Sequence, residues 1–369
     1  MPAPGVTAVD GDAVTWRLAD PDRALDGVRL WSDFDLGDTA FVRTALGWEL
    51  RRPVGALPRV DRLEYLFELT RNGDTASVVD PGNAQRVGGA FGDHSWLSLG
   101  YRPPAWLDVE PVPGARQDLT VTGTPVGDVD LQVWSPAGTA PTDPLPLLLS
   151  HDGPEMDALG ELTRYVGAMI ALRQAQGASG AQGAAPGLPA LRVGLLAPGS
   201  RDERYAANPA YADALCDHVL PRLRSTVATV GRPVLLGQSL GALAALHAEW
   251  THPGTFAGLG LQSGSFFTPE HDAQESGYAQ WRPVTAFVAQ VHRAHRAPST
   301  PAVAIGFGVA EENAANNRQL AATLTALGCP VSTTEVRDGH TFTCWRDLLD
   351  PQLTDLITDL ITDLTREPT

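Results

Sequence analysis

The stretch that most constrains this chain is Val234-Leu235-Leu236-Gly237-Gln238-Ser239-Leu240-Gly241-Ala242-Leu243-Ala244-Ala245-Leu246. Its apolar start, after Gly231-Arg232-Pro233, predicts a short buried strand. Gly237-Gln238-Ser239-Leu240-Gly241 then turns into an alanine-rich helix. A G-x-S-x-G turn between strand and helix holds its serine at the tip, with the hydroxyl exposed. The flanking glycines remove the Cβ atoms that would collide where strand and helix cross. The N–H of Leu240 opens the helix, where the helix dipole favours a developing negative charge. Ser239 is therefore the candidate nucleophile, and Leu240 the first candidate oxyanion donor.

At 369 residues the chain is long enough for two domains. It contains no lysine, so its 27 basic residues are all arginine, set against 43 acidic ones. A net charge of −16 argues against general binding to nucleic acid or to an anionic membrane. An anionic ligand would need a local arginine pocket. The first residues, Met1 to Asp12, lack a basic segment followed by an apolar core, and no run is apolar enough to span a bilayer. Three cysteines, Cys216, Cys329 and Cys344, suit a reducing cytoplasm better than a disulfide framework. Metal-ligand spacings are absent from the sequence, so neither a metal nor another cofactor is expected. The oligomeric state is not legible.

Residues 1–112 read as strands. Ala13–Leu18, Val28–Trp31, Trp48–Leu50 and Leu63–Leu69 are short, partly alternating and separated by Gly, Pro, Asp and Asn clusters. That spacing predicts a β-sandwich, in which Trp16, Trp31, Trp48 and Tyr65 are expected mainly as core. Pro103-Pro104 and Pro111-Val112-Pro113-Gly114 form a stiff connector.

From 113 to 369 the pattern changes. Asp118–Val121 and Val129–Trp134 predict a strand pair. Strands are then expected at Leu145–Leu149, Leu191–Leu196, Val234–Gly237, Gly258–Ser263, Ala302–Gly308 and Pro330–Val336. Helices alternate with them, at about 157–175, 209–230, 283–295 and 314–327. The segment 176–187 is low-complexity and reads as mobile. Leu353, Leu356, Ile357, Leu360, Ile361 and Leu364 predict one amphipathic terminal helix. The alternation implies a doubly wound, mostly parallel sheet, the α/β class, with functional loops at the carboxyl ends of its strands. Ser239, Glu311 and His340 all fall at such ends.

A serine hydroxyl needs a base to take its proton. His340 follows the last strand in a Gly-His turn, where the Ser…acid…His order of α/β-hydrolases requires it. His151, ending a central strand, is its one competitor among the nine histidines and is expected instead to shape the oxyanion loop. The acid is Glu311, with Glu312 and Asp338 as alternatives. The second oxyanion donor should lie in Ser150-His151-Asp152-Gly153-Pro154. Pro154 has no N–H, which leaves Gly153 or Asp152.

These segments together resemble the enterochelin (ferric enterobactin) esterases. The resemblance rests on Asp152-Gly153, Arg201 with Tyr205 and Asn208 ahead of Leu220-Pro221, Gly237–Gly241, Gln262-Ser263-Gly264-Ser265, and Gly339-His340 followed by Cys344-Trp345-Arg346. It covers about residues 115–350. The Trp-containing first strand, the Tyr-x-Phe strand and Asp80-Pro81-Gly82-Asn83 also look like the immunoglobulin-like modules that precede the catalytic domain in that family, and like glycogen-binding modules. The resemblance implies an α/β-hydrolase domain over 113–369 preceded by an immunoglobulin-like domain over 1–112. It further implies a small-molecule ester substrate, a catecholate trilactone siderophore in its iron complex, with Ser239 as nucleophile, His340 as base and Arg201 as a substrate-binding cation. Arg204 would join Arg201 in lining a pocket for that anion. Three positions depart from the pattern: Asp338 and Thr341, in Asp338-Gly339-His340-Thr341 where the family usually shows Gly-Gly-His-Asp, and Arg204, where it often has an acid.

Overall fold

Near-continuous burial along β2 (Ala13–Ala19) and alternating burial along β3 (Gly27–Trp31) mark one wall each of a two-sheet layer. The computed structural model describes residues 7–179 and 187–366. In the first sheet β1 (Ala8–Asp10), β2, β5 (Gly47–Pro53) and β4 (Val42–Arg43) lie antiparallel in the order β1-β2-β5-β4. In the second, β3, β6 (Arg62–Arg71), β9 (Gly92–Ser98) and β8 (Arg86–Gly89) follow one another, and β7 (Asp74–Val78) pairs with β6. Trp16, Leu18 and Leu50 from one sheet meet Val28, Leu30, Leu63, Tyr65 and Phe67 from the other in a single apolar core.

The aromatic residues divide accordingly. Trp16, Trp48 and Tyr65 are buried, and Trp16 meets the Tyr65 ring edge-on at 6.1 Å. Trp31 is half-buried against His94. Tyr65 Oη donates to Asp80 Oδ2 at 2.7 Å, and the other Asp80 oxygen accepts from Gly82 N at 2.7 Å. Buried Asp80 therefore locks the Asp80–Asn83 turn, the burial of its carboxylate being offset by donors on both oxygens.

The second sheet system has eight strands in the order β10-β11-β13-β12-β14-β15-β16-β17. These are β10 (Gly114–Thr124), β11 (Gly127–Pro136), β12 (Leu147–Ser150), β13 (Arg192–Leu196), β14 (Val234–Gln238), β15 (Gly258–Gln262), β16 (Ala302–Gly308) and β17 (Val331–Val336). β10 and β11 form an antiparallel edge, while β13, β12, β14, β15 and β16 run parallel. Parallel strands are covered on both faces, which explains why β12 to β15 are buried at every position. The helix Leu240–Thr251 contributes Leu240, Leu243 and Leu246 to the same core, each worth about 2 kcal/mol by burial.

Two helical expectations change. The helix expected over 157–175 begins at Gly153 and breaks at Glu161, whose φ of 54° ends Gly153–Gly160 before Leu162–Ser179 begins. The helix expected over 209–230 becomes Pro209–Asp213, a wider π-helical turn Ala214–Val219, and Leu220–Thr226. Pro221 lacks the N–H that would bond back one turn, and its ring crowds that turn's carbonyl. Most of the low-complexity stretch 176–187 lies outside the described residues. No helix among those residues is long and apolar enough to cross a membrane.

The chain divides into two compact units. One comprises Met1–Arg102 together with Gly308–Glu311 and Arg337–Phe342; the other holds Pro103–Phe307, Glu312–Val336 and Thr343–Thr369. The connector belongs to the second unit, because Trp106 is buried edge-on against Tyr165 and Val112 N donates to Gly167 O at 3.1 Å.

Candidate active site

Ser239 sits between β14 and the helix Leu240–Thr251 with φ 55° and ψ −121°. A non-glycine residue there is strained, and the strain persists only if its neighbours over-determine it. Here they do: Ser239 N donates to Gln262 O at 2.9 Å, and Ser239 O accepts from Ser265 N and Ala242 N, both at 3.1 Å. Gly237 is required by close approach, since a Cβ there would lie 2.2 Å from Gly241 O. The Ser239 hydroxyl is 3.1 Å from Ser265 Oγ, a contact made by the Gln262–Ser265 segment that sequence alone did not assign to the site.

The loop after β12 is held just as firmly. Asp152 adopts φ 45°, and Gly153 opens the helix Gly153–Gly160, where a first-turn N–H has no acceptor within its own helix. A Cβ on Gly153 would meet Leu195 Cα at 2.3 Å, so no other residue fits. The N–H groups of Gly153 and Leu240 are thus first-position groups of two helices at the carboxyl ends of adjacent strands β12 and β14.

His151 is fully buried among Tyr205 and Tyr211. Its Nδ1 lies 2.8 Å from Gly241 O and donates to it. Burial pushes its pKa down to about 4, against the pull of the Gly241 carbonyl. A neutral ring bonded to the elbow helix braces the loop.

Both arginines expected to face substrate are engaged by the protein. Arg201 Nε and Nη2 donate to the two oxygens of Asp152, each at 2.8 Å. Arg204 Nη2 donates to the carbonyls of Val126 at 3.1 Å and Asp128 at 2.9 Å. A cleft of about 590 Å³ opens beside Pro154 and Asp157, but its polar walls are paired with one another, Arg116 with Asp157 and Gln132 with Asp118.

Glu311 and His340 belong to the other compact unit. His340 Nδ1 lies 3.7 Å from Glu311 Oε2. The Glu311 side chain is buried, whereas Glu312 is exposed. Asp338 faces elsewhere: its Oδ2 pairs with buried Arg62 and its Oδ1 accepts from Gly339 N at 2.9 Å. Gly339 packs on Phe34, which a Cβ would strike at 2.5 Å. Among the candidate acids, Glu311 has its carboxylate beside the His340 ring. The helix Phe342–Leu348 follows, and its Trp345 Nε1 donates to Ser263 Oγ at 2.9 Å.

The family comparison decides the class of this chain. The Esterase family matches residues 124–356, more than half of the 369. The chain belongs to the Esterase family. This esterase is a hydrolase acting on ester bonds. It is similar in fold to the enterobactin esterase of Shigella flexneri solved in the presence of enterobactin, with TM-score 0.73 and 19% identity over 97% of this chain and 96% of that one. It is also similar to ferric enterobactin esterase from Salmonella typhimurium, with TM-score 0.71 and 19% identity over 96% and 97% of the two chains. A ferulic acid esterase is a more distant likeness, with TM-score 0.53 and 15% identity over 67% of this esterase and 99% of that chain. Among curated proteins none matches this esterase significantly in sequence.

Proposed function

We propose that this esterase cleaves the ester bonds of a catecholate trilactone or related depsipeptide siderophore in the cytoplasm through a serine mechanism. Ser239 attacks the ester carbonyl, His340 takes its proton and returns it to the leaving alcohol, and Glu311 holds the imidazole through Nδ1. The oxyanion is held by the N–H groups of Leu240 and Gly153. No cofactor enters this chemistry, and iron would arrive as part of the substrate. The first unit, with two antiparallel sheets on one core, is read as an immunoglobulin-like module.

The observation that carries the mechanism is the strained backbone of Ser239, held at the tip of the turn by bonds from Gln262 and Ser265. A Glu311 carboxylate beside the His340 ring supports the acid–base assignment. The siderophore reading is supported by the Shigella enterobactin esterase covering 97% of this chain, against 67% for the ferulic acid esterase. A carbohydrate-linked feruloyl ester is the alternative substrate.

The test is release of monomer from a ferric and an iron-free catecholate trilactone, with Ser239→Ala as control. Turnover lost in the variant supports both mechanism and substrate. Cleavage of simple aryl esters with an intact trilactone keeps the mechanism and discards the siderophore. Turnover that survives Ser239→Ala discards the mechanism.

A further inference from the structure

The two helix starts that offer N–H groups to an oxyanion come from separate loops, one after β12 and one after β14. Their relative placement must hold to about 0.5 Å for the donors to act together. Three cross-ties join the loops. The His151 backbone N donates to Leu236 O at 2.9 Å, extending the β12–β14 pairing. His151 Nδ1 reaches Gly241 O on the elbow helix at 2.8 Å. The third tie is Arg201. Its guanidinium grips both oxygens of Asp152, the residue before Gly153, at 2.8 Å, and its Nη2 reaches Gln238 O, the residue before Ser239, at 3.4 Å.

The chemistry of this tie is specific. Asp152 is in the left-handed region, at φ 45°, and its carboxylate is buried. Its backbone N donates to Tyr205 Oη at 3.2 Å, so backbone and side chain are both clamped. Only a planar guanidinium spans both carboxylate oxygens in a fork. Arg201 retains 33% of its side-chain surface in solvent, and its fork is directed at Asp152.

We propose that Arg201 is a positioning residue, which locks Asp152 to the Gln238–Ser239 turn and so keeps the Gly153 and Leu240 N–H groups in mutual register for the transition state. This rests on the serine-esterase reading above and differs from the substrate-binding cation that family resemblance implies for Arg201. The two roles separate on an ester that carries no charge. A cation recruited to bind an anionic substrate is idle toward p-nitrophenyl acetate. A lock on the oxyanion loop is needed whatever the ester is.

The experiment measures kcat and KM on p-nitrophenyl acetate for the full chain, Ser239→Ala, Arg201→Lys, Arg201→Gln, Asp152→Asn and the double variant Arg201→Lys with Asp152→Asn. Lysine keeps the positive charge but loses the fork. The expected result is a fall in kcat of about tenfold or more for Arg201→Lys and Asp152→Asn, with KM changed by less than about twofold, because the lost interaction acts in the transition state. The double variant should be within about threefold of the worse single one, since both changes break the same contact. Melting temperatures identify any variant that fails to fold. If Arg201→Gln is such a variant, Arg201→Lys and Asp152→Asn decide the matter, each in its own right.

Ser239-dependent turnover with full kcat in Arg201→Lys and in Asp152→Asn would overturn the positioning role while leaving the esterase mechanism intact. A rise in KM at constant kcat would likewise overturn it. Turnover that does not depend on Ser239 would remove the serine reading and this inference with it.

Discussion

Asp338 stands two residues before His340 in the chain, yet its carboxylate pairs with the buried guanidinium of Arg62, 276 residues away in sequence. Glu64 Oε1 lies 3.6 Å from the same guanidinium, and the Tyr101 ring lies beneath it at 4.6 Å. A charge this well enclosed has a structural task. In the proposed mechanism it is Glu311, rather than Asp338, that partners His340.

The two carboxylates should therefore fail in different ways. Glu311→Gln is expected to lower kcat by about 10²-fold or more with little change in melting temperature. Asp338→Asn leaves a buried arginine short of a counter-charge and should cost about 3 kcal/mol of stability. Urea unfolding and steady-state kinetics on the two variants check this. A stable, inactive Asp338→Asn beside an active Glu311→Gln would exchange their roles.

Arg204→Ala tests whether that arginine touches substrate. With its guanidinium on the Val126 and Asp128 carbonyls, truncation should cost about 1 kcal/mol of stability and leave KM for any ester unchanged. A raised KM without loss of stability would restore Arg204 to the binding pocket.

Stability should decline with acid in a way that two histidines make visible. Burial, with His252 nearby and Asp213 opposing, pushes the pKa of His247 down to about 4, and burial does the same to His151. Both folded values lie below the ordinary value of about 6.5, so the unfolded chain binds protons that the folded chain refuses. Their contribution is complete above about pH 6.5 and is lost as pH falls toward 4, with a slope of up to about 1.4 kcal/mol per pH unit for each histidine. His247→Leu should flatten the dependence of unfolding free energy on pH across that window. An unchanged slope would show that His247 titrates in the fold as it does in the unfolded chain.

Glycine substitutions give a sharp contrast. Gly237→Ala drives a Cβ to 2.2 Å from a backbone oxygen and should cost about 3 kcal/mol or more. Gly177, in the helix Leu162–Ser179 with nothing within 4 Å of its would-be Cβ, should gain about 0.5 kcal/mol as alanine. Thermal melting of the two variants checks both signs.

The parts of the fold legible in sequence were those with a strong local signature. The elbow combined an apolar strand with small residues whose spacing has one steric use, and the β12 to β16 strands were continuous apolar runs. The short strands β1, β4, β7, β8 and β9 were not read. β7 was within reach, because Asn72-Gly73 adopts positive φ at both residues, 52° and 88°, in the turn from β6, a hairpin signal in its own right. The proposed catalytic residues Ser239, Glu311 and His340 stand out in sequence by their positions after strands. The Arg201–Asp152 fork and the Arg62–Asp338 pair could not, because an arginine's partner is set by tertiary packing across 49 and 276 residues.

The loops Gly308–Glu311 and Arg337–Phe342 cluster with Met1–Arg102, apart from the unit that holds Ser239. The boundary of heredity and the boundary of folding therefore do not coincide in this protein. A gene shortened to begin near Pro103 would still encode Ser239, Glu311 and His340, but it would strip Asp61, Arg62 and Phe34 from the loops that carry the last two. Transplanting the first hundred residues between relatives accordingly exchanges the supports of the loops that carry the proposed acid and base, and donor and recipient would have to be matched at Arg337, Asp338 and Gly339 for the hybrid to work.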